Sequence, residues 1–336
     1  MAFLGTGLWA DVRELPGALA ETVAAADGVA AAADLLRTPG VERIVATGNG
    51  AAYYVAHALW LAALESERRG PPIVAVPCGV AVRPSFRWRP GDAVLAVSSS
   101  GEFRDVVELA RAAAGRPCVA VTASADSSLA AAADACVVQR VWSQRAVTHT
   151  QAIAGAYACG LAVWAALTGD DELASLIAGA PAAAGAAVAE AEGWGAERLP
   201  GLDRPTAAVA AGGGPAWAAA LELALMLKEV ARIPAEGVET REGATSAMFG
   251  LGPGQLMVGL DPAGDPHGDE ALRLCAATGA ATLRLPAAHD ADPRLAPITT
   301  LPAAAALAAE LAVVGGHDVD QPAWTDAYYE TARGAT

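Results

Sequence analysis

Three consecutive serines and a glycine, at residues 98–101, separate a strand pattern from a helix pattern. The apolar run before them, residues 94–97, is typical of a strand buried on both faces. The residues that follow repeat their apolar positions at helical spacing. The first N–H groups of a helix lack partners and favour an anion. Because capping would use only one serine, we interpret Ser98, Ser99, Ser100 and Gly101 as a site for a phosphate or carboxylate group.

A second group of polar residues lies near the end of a helix predicted over residues 216–232. Glu229 is there among apolar neighbours, and a carboxylate in such surroundings has a raised pKa and can act as a general base. An exposed Lys228–Glu229 ion pair fits the local sequence equally well. Arg241 and Glu242 follow in a predicted loop with further carboxylates, which indicates either a site or a surface network.

Composition excludes several classes of partner. The 336 residues carry a formal net charge of −15 and are 54% hydrophobic, so no basic face for nucleic acid is evident. The acidic balance also disfavours an anionic membrane. The apolar residues 150–168 are better explained as a helix buried between domains or at a dimer interface.

Cofactor motifs and metal-ligand spacings are missing from the sequence. Neither a zinc-site spacing nor a P-loop is found, and Gly48-Asn49-Gly50 is too incomplete for a dinucleotide fingerprint. We therefore expect neither a cofactor nor a metal. The five cysteines form no CxxC pair, which favours buried thiols in a reducing cytosol and predicts a cytoplasmic protein.

Strands alternate with helices along the chain, which predicts an α/β fold with parallel sheets covered on both faces. The pattern begins with a single helix over residues 9–37. A strand, a glycine turn and a long helix occur in the same order in each half, so we infer an internal duplication. The predicted domains are residues 10–170, with the N-terminal helix, and residues 171–336.

Several of these motifs resemble the sugar isomerase (SIS) domain family. The serine turn is similar to its Ser-x-Ser-Gly-Glu-Thr signature, and Thr47-Gly48-Asn49-Gly50 corresponds to its first glycine loop. The run LELALMLKE, residues 221–229, resembles the LEGALKLKE helix in the isomerase half of glucosamine-6-phosphate synthase. Residues 318–322, DVDQP, match the tail motif of the same enzymes.

The resemblance implies two flavodoxin-like SIS domains of three αβα layers, a homodimer and a phosphosugar ligand. It implies that Ser98, Ser99 and Ser100 hold the phosphate, with Thr148 adjoining, and that Glu229 moves a proton between C1 and C2. Lys228 and the glycine loop, Gly48 and Asn49, are included among the ligand-binding residues.

Other family positions differ in this chain. The signature threonine is Phe103, the first lysine of KLKE is Met226, and no histidine occurs near residues 245–246. Three functions therefore stay open. The protein is an aldose–ketose isomerase, or a deaminase or deglycase on a sugar or aminosugar phosphate, with Arg241 or Glu242 in place of the histidine. Alternatively it binds a carbohydrate derivative without turnover, or it acts on a non-phosphorylated sugar.

Overall fold

A computed structural model of the chain describes residues 1–25, 28–113, 115–262, 265–286, 291–322 and 325–333. It forms two compact units. The five-stranded unit consists of residues 17–142, 151–181 and 323–336, and the four-stranded unit of residues 1–16, 143–150 and 182–322. The domain boundaries inferred from the sequence stay a prediction.

The strands are β1 (Arg43–Thr47), β2 (Ile73–Ala75), β3 (Asp92–Val97), β4 (Cys118–Thr122), β5 (Ala135–Val138), β6 (Ala208–Gly212), β7 (Ala235–Glu239), β8 (Leu256–Gly259) and β9 (Ala281–Arg284). The helices are α1 (Gly7–Ala25), α2 (Val29–Leu36), α3 (Ala51–Glu65), α4 (Cys78–Ala81), α5 (Arg104–Ala112), α6 (Ser128–Ala132), α7 (Gln151–Thr168), α8 (Asp171–Arg198), α9 (Pro215–Glu229), α10 (Thr240–Thr245), α11 (Pro266–Ala277), α12 (Ala296–Thr299), α13 (Leu301–Val314) and α14 (Thr325–Arg333). Three short 3-10 turns are Phe3–Gly5, Ala247–Gly250 and Pro293–Leu295.

The first sheet has the strand order β2-β1-β3-β4-β5, and its strands are parallel. Strands β3 and β4 are buried along their whole length, in accordance with sequences that are apolar except for Asp92 and Thr122. The order reverses between β1 and β3, which pair from Arg43 and Asp92 to Thr47 and Ala96. The predicted α/β fold with parallel sheets is confirmed.

The second sheet, β7-β6-β8-β9, is also parallel and repeats the order of the first four strands of the other sheet. Its inner strands β6 and β8 are wholly buried, whereas the edge strand β7 buries only Val238. Its order reverses between β6 and β8, the counterparts of β1 and β3.

Two predictions about the elements are wrong. The helix predicted over residues 9–37 is interrupted, and α2 begins after Gly28, whose φ is +82°. A Cβ at Gly28 would collide with the carbonyl oxygen of Cys136, so the close approach requires glycine. The loop predicted around Arg241 is strand β7 followed by α10, because an edge strand keeps charged side chains in its sequence.

Three helical stretches in the described residues are long and apolar enough to cross a membrane: Gln151–Thr168, Asp171–Arg198 and Pro293–Val314. The first and third are 83% buried inside the protein, and the second is 28% buried. Burial against other protein elements accounts for the apolar composition of the first and third stretches.

Candidate functional site

The carboxyl ends of β1 and β3 form the topological switch point of the five-stranded sheet. Open parallel sheets bind ligands outside the strand ends at such a point, because the chain departs to opposite faces there. The glycine loop at residues 48–50 follows β1, and the serine turn at residues 98–101 follows β3. The structure therefore brings these two predicted ligand-binding segments to adjacent positions at one edge of the sheet.

Local hydrogen bonds shape the serine turn. Ser98 Oγ accepts from the N–H of Gly101 at 3.2 Å, and Ser100 Oγ accepts from the N–H of Glu102 at 3.2 Å. Gly101 has a φ of +67°, and a Cβ there would lie 2.2 Å from Ser127 Oγ, so this position requires glycine. The carbonyl of Ser99 accepts from the N–H of Ala123 at 2.9 Å.

The turn keeps a set of donors available for a ligand. In the part of the chain that the structure describes, neither the N–H of Ser99 nor that of Ser100 has an acceptor. The hydroxyl protons of Ser98, Ser99 and Ser100 likewise have no acceptor there. Ser98 is buried, whereas Ser99 and Ser100 are half-buried. A cluster of unengaged N–H and O–H donors of this kind suits an oxyanion.

The side chains of Glu102 and Phe103, which follow the turn, do not add to the donors. Glu102 accepts from the N–H and the hydroxyl of Ser128, at 2.8 and 2.7 Å, and these bonds hold its pKa below the usual value. Phe103 is the N-cap residue of α5 and makes no side-chain cap. Its ring packs against the hydrophobic core of the five-stranded unit, which includes Val106 and Leu109.

The glycine loop after β1 approaches the helix that follows it. A Cβ on Gly48 would lie 2.7 Å from the carbonyl carbon of Ala52, and Gly50 adopts φ +53° and ψ −129°. Asn49 lies between them and is half-buried, and its side-chain amide has no partner within the described ranges. Asn49 is thus available to a ligand at the switch point.

Glu229, at the end of α9 in the four-stranded unit, is half-buried. Burial raises the pKa of its carboxyl above the usual value, while a hydrogen bond from Thr148 and the charge of Lys228 lower it. Thr148 Oγ1 donates to Glu229 Oε2 at 3.3 Å. Lys228 is exposed, as the alternative of a surface Lys228–Glu229 ion pair predicted, whereas Glu229 is not.

The DVDQP motif holds the segment that carries Thr148. The carboxylate of Asp320 accepts from the N–H groups of Gly7 and Leu8, at 2.7 and 2.8 Å, and so caps the start of α1. The carbonyl of Asp320 accepts from the N–H of Val147 at 2.9 Å. Asp320 therefore forms hydrogen bonds with both the N-terminus of α1 and residue 147.

Arg145 also binds the segment that carries Thr148 to α1. Its guanidinium binds Asp11 at 2.9 Å and Glu14 at 2.7 Å, and Asp11 also accepts from the N–H of Arg145. Gln321 of the tail motif donates to the carbonyl of Arg145 at 3.3 Å. Thr148 therefore extends from a segment fixed on two sides.

Arg241 and Glu242 are exposed residues of α10. The guanidinium of Arg241 forms an ion pair with Glu270 of α11, and the N–H groups of Arg241 and Glu242 donate to Glu239. Neither side chain contacts Glu229 among the described contacts. The structure thus brings Thr148, Lys228 and Glu229 together and places Arg241 and Glu242 in a separate cluster.

Glu222 is a functional candidate that the sequence interpretation did not select. It is 5% exposed, on the same helix as Glu229, and neither of its carboxyl oxygens has a hydrogen-bond partner in the described residues. Burial, with a contribution from the charge of Glu229, raises its pKa well above the usual value. The signal in the sequence was a carboxylate seven residues before Glu229 inside an otherwise apolar helix.

The switch point of the four-stranded sheet is occupied by the chain itself. Asp261, after β8, accepts from the N–H of Gly213 at 2.7 Å and from the hydroxyl of Thr240 at 2.5 Å. Gly214 (φ +52°, ψ −138°) repeats the conformation of Gly50 in the other glycine loop. An internal carboxylate therefore takes the position that a ligand oxyanion would occupy.

No group of three or more His, Cys, Asp or Glu residues that could hold a metal ion occurs in the described part of the chain. The expectation of a protein without a metal stays a prediction.

Comparisons with proteins of known structure find the same fold. A protein from Silicibacter pomeroyi, provisionally named a phosphosugar isomerase, is 23% identical with a TM-score of 0.76 over 94% of this chain and 100% of its own. The C-terminal domain of glucosamine-fructose-6-phosphate aminotransferase from Francisella tularensis is 18% identical with a TM-score of 0.78, over 94% and 98%. Tagatose-6-phosphate ketose/aldose isomerase from Escherichia coli is 20% identical with a TM-score of 0.74, over 96% of both chains.

Comparison with protein-family models finds no match, and comparison with curated proteins finds none either. The structural likenesses show that this chain has the fold of the SIS-type phosphosugar isomerases along nearly its whole length. The resemblance drawn from the serine turn, the LELALMLKE helix and the DVDQP tail is confirmed at the level of the fold.

Proposed function

We propose that the protein binds a phosphorylated sugar and moves a proton between its C1 and C2. The phosphate binds at the serine turn, through Ser98, Ser99 and Ser100. The observation that carries this proposal is the set of unengaged N–H and O–H donors at the topological switch point. The activities named for the neighbouring structures, phosphosugar and tagatose-6-phosphate isomerases, support the same substrate class.

Glu229 is the proposed base. Its burial favours the protonated form, and the bond from Thr148 together with the charge of Lys228 favours the ionised form. A carboxylate balanced in this way can take a proton from one carbon and return it to the next, through an enediol-like intermediate. General base catalysis of this kind contributes about 10² to 10⁴ in rate. An aldose–ketose isomerase, a deaminase and a deglycase all use this step.

Arg241 and Glu242 remain the candidates for assisting ring opening. Arg241 is engaged with Glu270. The carboxylate of Glu242, which has no ion pair among the described residues, is therefore the freer group of the two.

Hydrogen exchange at the carbon next to the carbonyl tests the proposal. Sugar phosphates are incubated with the protein in deuterated water, and deuterium at C2 is measured by NMR. We expect exchange with the wild type and with Glu236→Gln, an exposed residue of the edge strand β7. Glu229→Gln should reduce the exchange rate at least about a hundredfold. Undiminished exchange in Glu229→Gln contradicts the role of Glu229.

Binding without turnover is the second candidate, and the residue at position 226 favours it. Met226 is a buried apolar side chain where the resembling family has a lysine. Ligand binding to both the wild type and Glu229→Gln, with no exchange in either, would support this candidate over the enzyme.

An enzyme acting on a non-phosphorylated sugar is the remaining alternative. Thermal-shift measurements with paired phosphorylated and free sugars distinguish it, because a ligand stabilises the native state in proportion to its affinity. Equal stabilisation by both members of a pair would contradict the phosphate site.

Assembly and location complete the proposal. The protein is proposed to be a cytoplasmic homodimer that needs no cofactor and binds neither nucleic acid nor a membrane. Light scattering coupled to size-exclusion chromatography tests the dimer, with a mass of twice 33.6 kDa expected.

A further inference from the structure

The segment that joins α4 to β3 is basic, although the protein as a whole is acidic. Residues 79–90 include three arginines, Arg83, Arg87 and Arg89, and no acidic residue, whereas the whole chain has a formal net charge of −15. All three arginines are exposed. The segment therefore presents a positively charged surface that attracts anionic groups, while the remainder of the chain repels them.

The side chains on either side of Trp88 alternate between packed and exposed. The Trp88 ring packs against the hydrophobic core of the five-stranded unit and lies 4.9 Å from the ring of Phe86, centroid to centroid. The guanidinium of Arg116 lies over the Trp88 ring, 5.3 Å from its centroid. Arg87 and Arg89 are exposed. Because side chains two residues apart in an extended segment point to the same side, Trp88 holds both arginines outward, about 6.6 Å apart.

The charges of these two arginines are not paired within the chain. The acidic residue that follows them, Asp92, is bound by Arg43 at 2.6 Å and accepts from the N–H of Arg89 at 2.7 Å, and its side chain is fully buried. The guanidinium groups of Arg87 and Arg89 form neither an ion pair nor a hydrogen bond with any residue that the structure describes. Both groups are thus available to carboxylates of another molecule.

The main chain at Arg87 is available as well. Within the described ranges, neither its N–H nor its carbonyl forms a hydrogen bond. The N–H and the carbonyl of Arg89, in contrast, are both bound to Asp92. An extended peptide beside the segment can therefore form one pair of main-chain hydrogen bonds with Arg87, as in β-strand addition. Alternate side chains of such a peptide have the same spacing as Arg87 and Arg89.

We propose that residues 86–90 are a docking surface for an extended acidic stretch of a partner protein, whose carboxylates at alternate positions pair with Arg87 and Arg89. The planar guanidinium group suits a carboxylate because it can donate two parallel hydrogen bonds. A nucleic acid fits this short surface less well, since its phosphates continue beyond it and meet the acidic remainder of the chain. The inference is independent of the proposed sugar-phosphate function.

Peptide binding to the wild-type protein tests the inference. The probes are a short fluorescent peptide of alternating glutamate and threonine, and a peptide of the same composition with its glutamates in one block. Fluorescence anisotropy at low ionic strength should show about three- to tenfold tighter binding of the alternating peptide, and added salt should weaken this binding. Equal affinities for the two peptides would overturn the inference.

Methylation of the peptide amides tests the main-chain pairing without altering the protein. In an extended peptide, the N–H groups of alternate residues point to the same edge. Methylation of the glutamate amides or of the threonine amides should therefore weaken binding about fivefold in one of the two cases only. Equal affinities of both methylated peptides and the unmethylated one would contradict the pairing with Arg87.

Two variants locate the surface. Arg87→Gln and Arg89→Gln should each weaken the binding of the alternating peptide about two- to fivefold, and the double variant about tenfold. Arg198→Gln, the same change at an exposed arginine of α8, should keep the wild-type affinity. Both side chains are exposed, so the variants should unfold at the temperature of the wild type. Unchanged affinity in the double variant would overturn the inference.

Other occupants of the surface would give different results. Single-stranded DNA that binds more tightly than the alternating peptide, and loses this binding in the double variant, would assign the surface to nucleic acid. Self-association of the wild type that the double variant abolishes, measured by sedimentation, would assign it to a second copy of this chain. Either result would overturn the inference. We expect weak DNA binding and the same oligomeric state in both proteins.

Discussion

The carboxyl of Glu229 is subject to opposing influences whose balance sets its pKa. Burial favours the neutral acid, whereas the hydroxyl of Thr148 stabilises the carboxylate. A catalytic base works best when its pKa lies near the working pH. The hydroxyl at position 148 therefore matters for the pH range of activity and not only for packing.

Replacement of Thr148 by valine should move the pH dependence of exchange to higher pH. The lost hydrogen bond had lowered the pKa of Glu229, so its removal raises that pKa, and the base is protonated at a pH where it was previously ionised. The measurement is the acid limb of the exchange rate plotted against pH.

Thr150→Val is the matched control for this change. Thr150 is also a buried threonine of the same segment, and its hydroxyl has no hydrogen-bond partner in the residues that the structure describes. Its profile should coincide with that of the wild type. An acid limb that moves equally in both variants would assign the effect to the segment and not to the bond with Glu229.

Ser99→Ala should weaken the binding of a phosphorylated ligand about tenfold, because one hydrogen bond to a charged group is lost. The affinity of Ser99→Ala for the corresponding free sugar should not change. Ser85→Ala, a control change at an exposed serine, should not alter the affinity for the phosphorylated ligand. Dissociation constants for both ligands provide the check. Equal loss for both ligands would mean that Ser99 does not contact the phosphate.

At the scale of elements, one aspartate of the tail joins two distant parts of the chain. Asp320 caps α1 with its carboxylate and holds residue 147 with its carbonyl. A negative charge at a helix N-terminus is stabilised by the helix dipole as well as by the hydrogen bonds. The DVDQP motif thus has a structural role that its sequence does not reveal.

Asp320→Asn should lower the free energy of unfolding by about 1–2 kcal/mol, since the cap loses its charge and one acceptor atom. Thermal or urea unfolding measures the loss, with Glu330→Gln, an exposed change on α14, as the control. Thr148 belongs to the segment that Asp320 holds, so the acid limb of exchange should shift in this variant too. Stability equal to that of the control would show that the cap is dispensable.

Continuous apolar runs allowed the buried strands to be predicted, whereas strand β7 was missed. Strands β3 and β4 are apolar except for their end residues Asp92 and Thr122, because both of their faces are covered. Strand β7 buries only Val238, so its polar sequence was interpreted as a loop. The break before α2 was missed because the close contact of Gly28 with Cys136 joins residues far apart in the chain.

In the whole molecule, the two sheets have similar switch points, but the groups that lie at these points differ. The five-stranded sheet ends in a serine turn with open donors, and the corresponding position of the four-stranded sheet is taken by the carboxylate of Asp261. The second sheet repeats the fold of the first but does not provide a second set of free donors for an anion. A ligand oxyanion at the second position would displace a charged group that two donors already satisfy.

One phosphorylated ligand should consequently bind to each chain. Isothermal titration of the wild type should give a stoichiometry near one, and Asp261→Ser, which frees the N–H of Gly213, should admit inorganic phosphate as an additional weak ligand. Asp265→Ser, a neighbouring carboxylate that caps α11, serves as the control. Two equivalent ligands on the wild-type chain would contradict the closure of the second position.

The candidate site was predictable from the sequence where its residues are contiguous. Three adjacent hydroxyls before a helix indicated the anion site, and the apolar neighbours of Glu229 indicated a perturbed carboxyl. The bond from Thr148 to Glu229 and the closure by Asp261 depend on contacts between residues 81 and 48 positions apart. Such contacts are fixed by strand order and helix packing, which no local pattern specifies.

The sequence contains a single lysine, Lys228, which is exposed beside the proposed base. All other residues counted as Lys or Arg are arginines. Reagents that acylate primary amines will therefore find a single ε-amino group, with the α-amino group of the chain as the remaining target. A fluorescent dye attached at this position would report on ligand binding next to Glu229 without the introduction of a new cysteine.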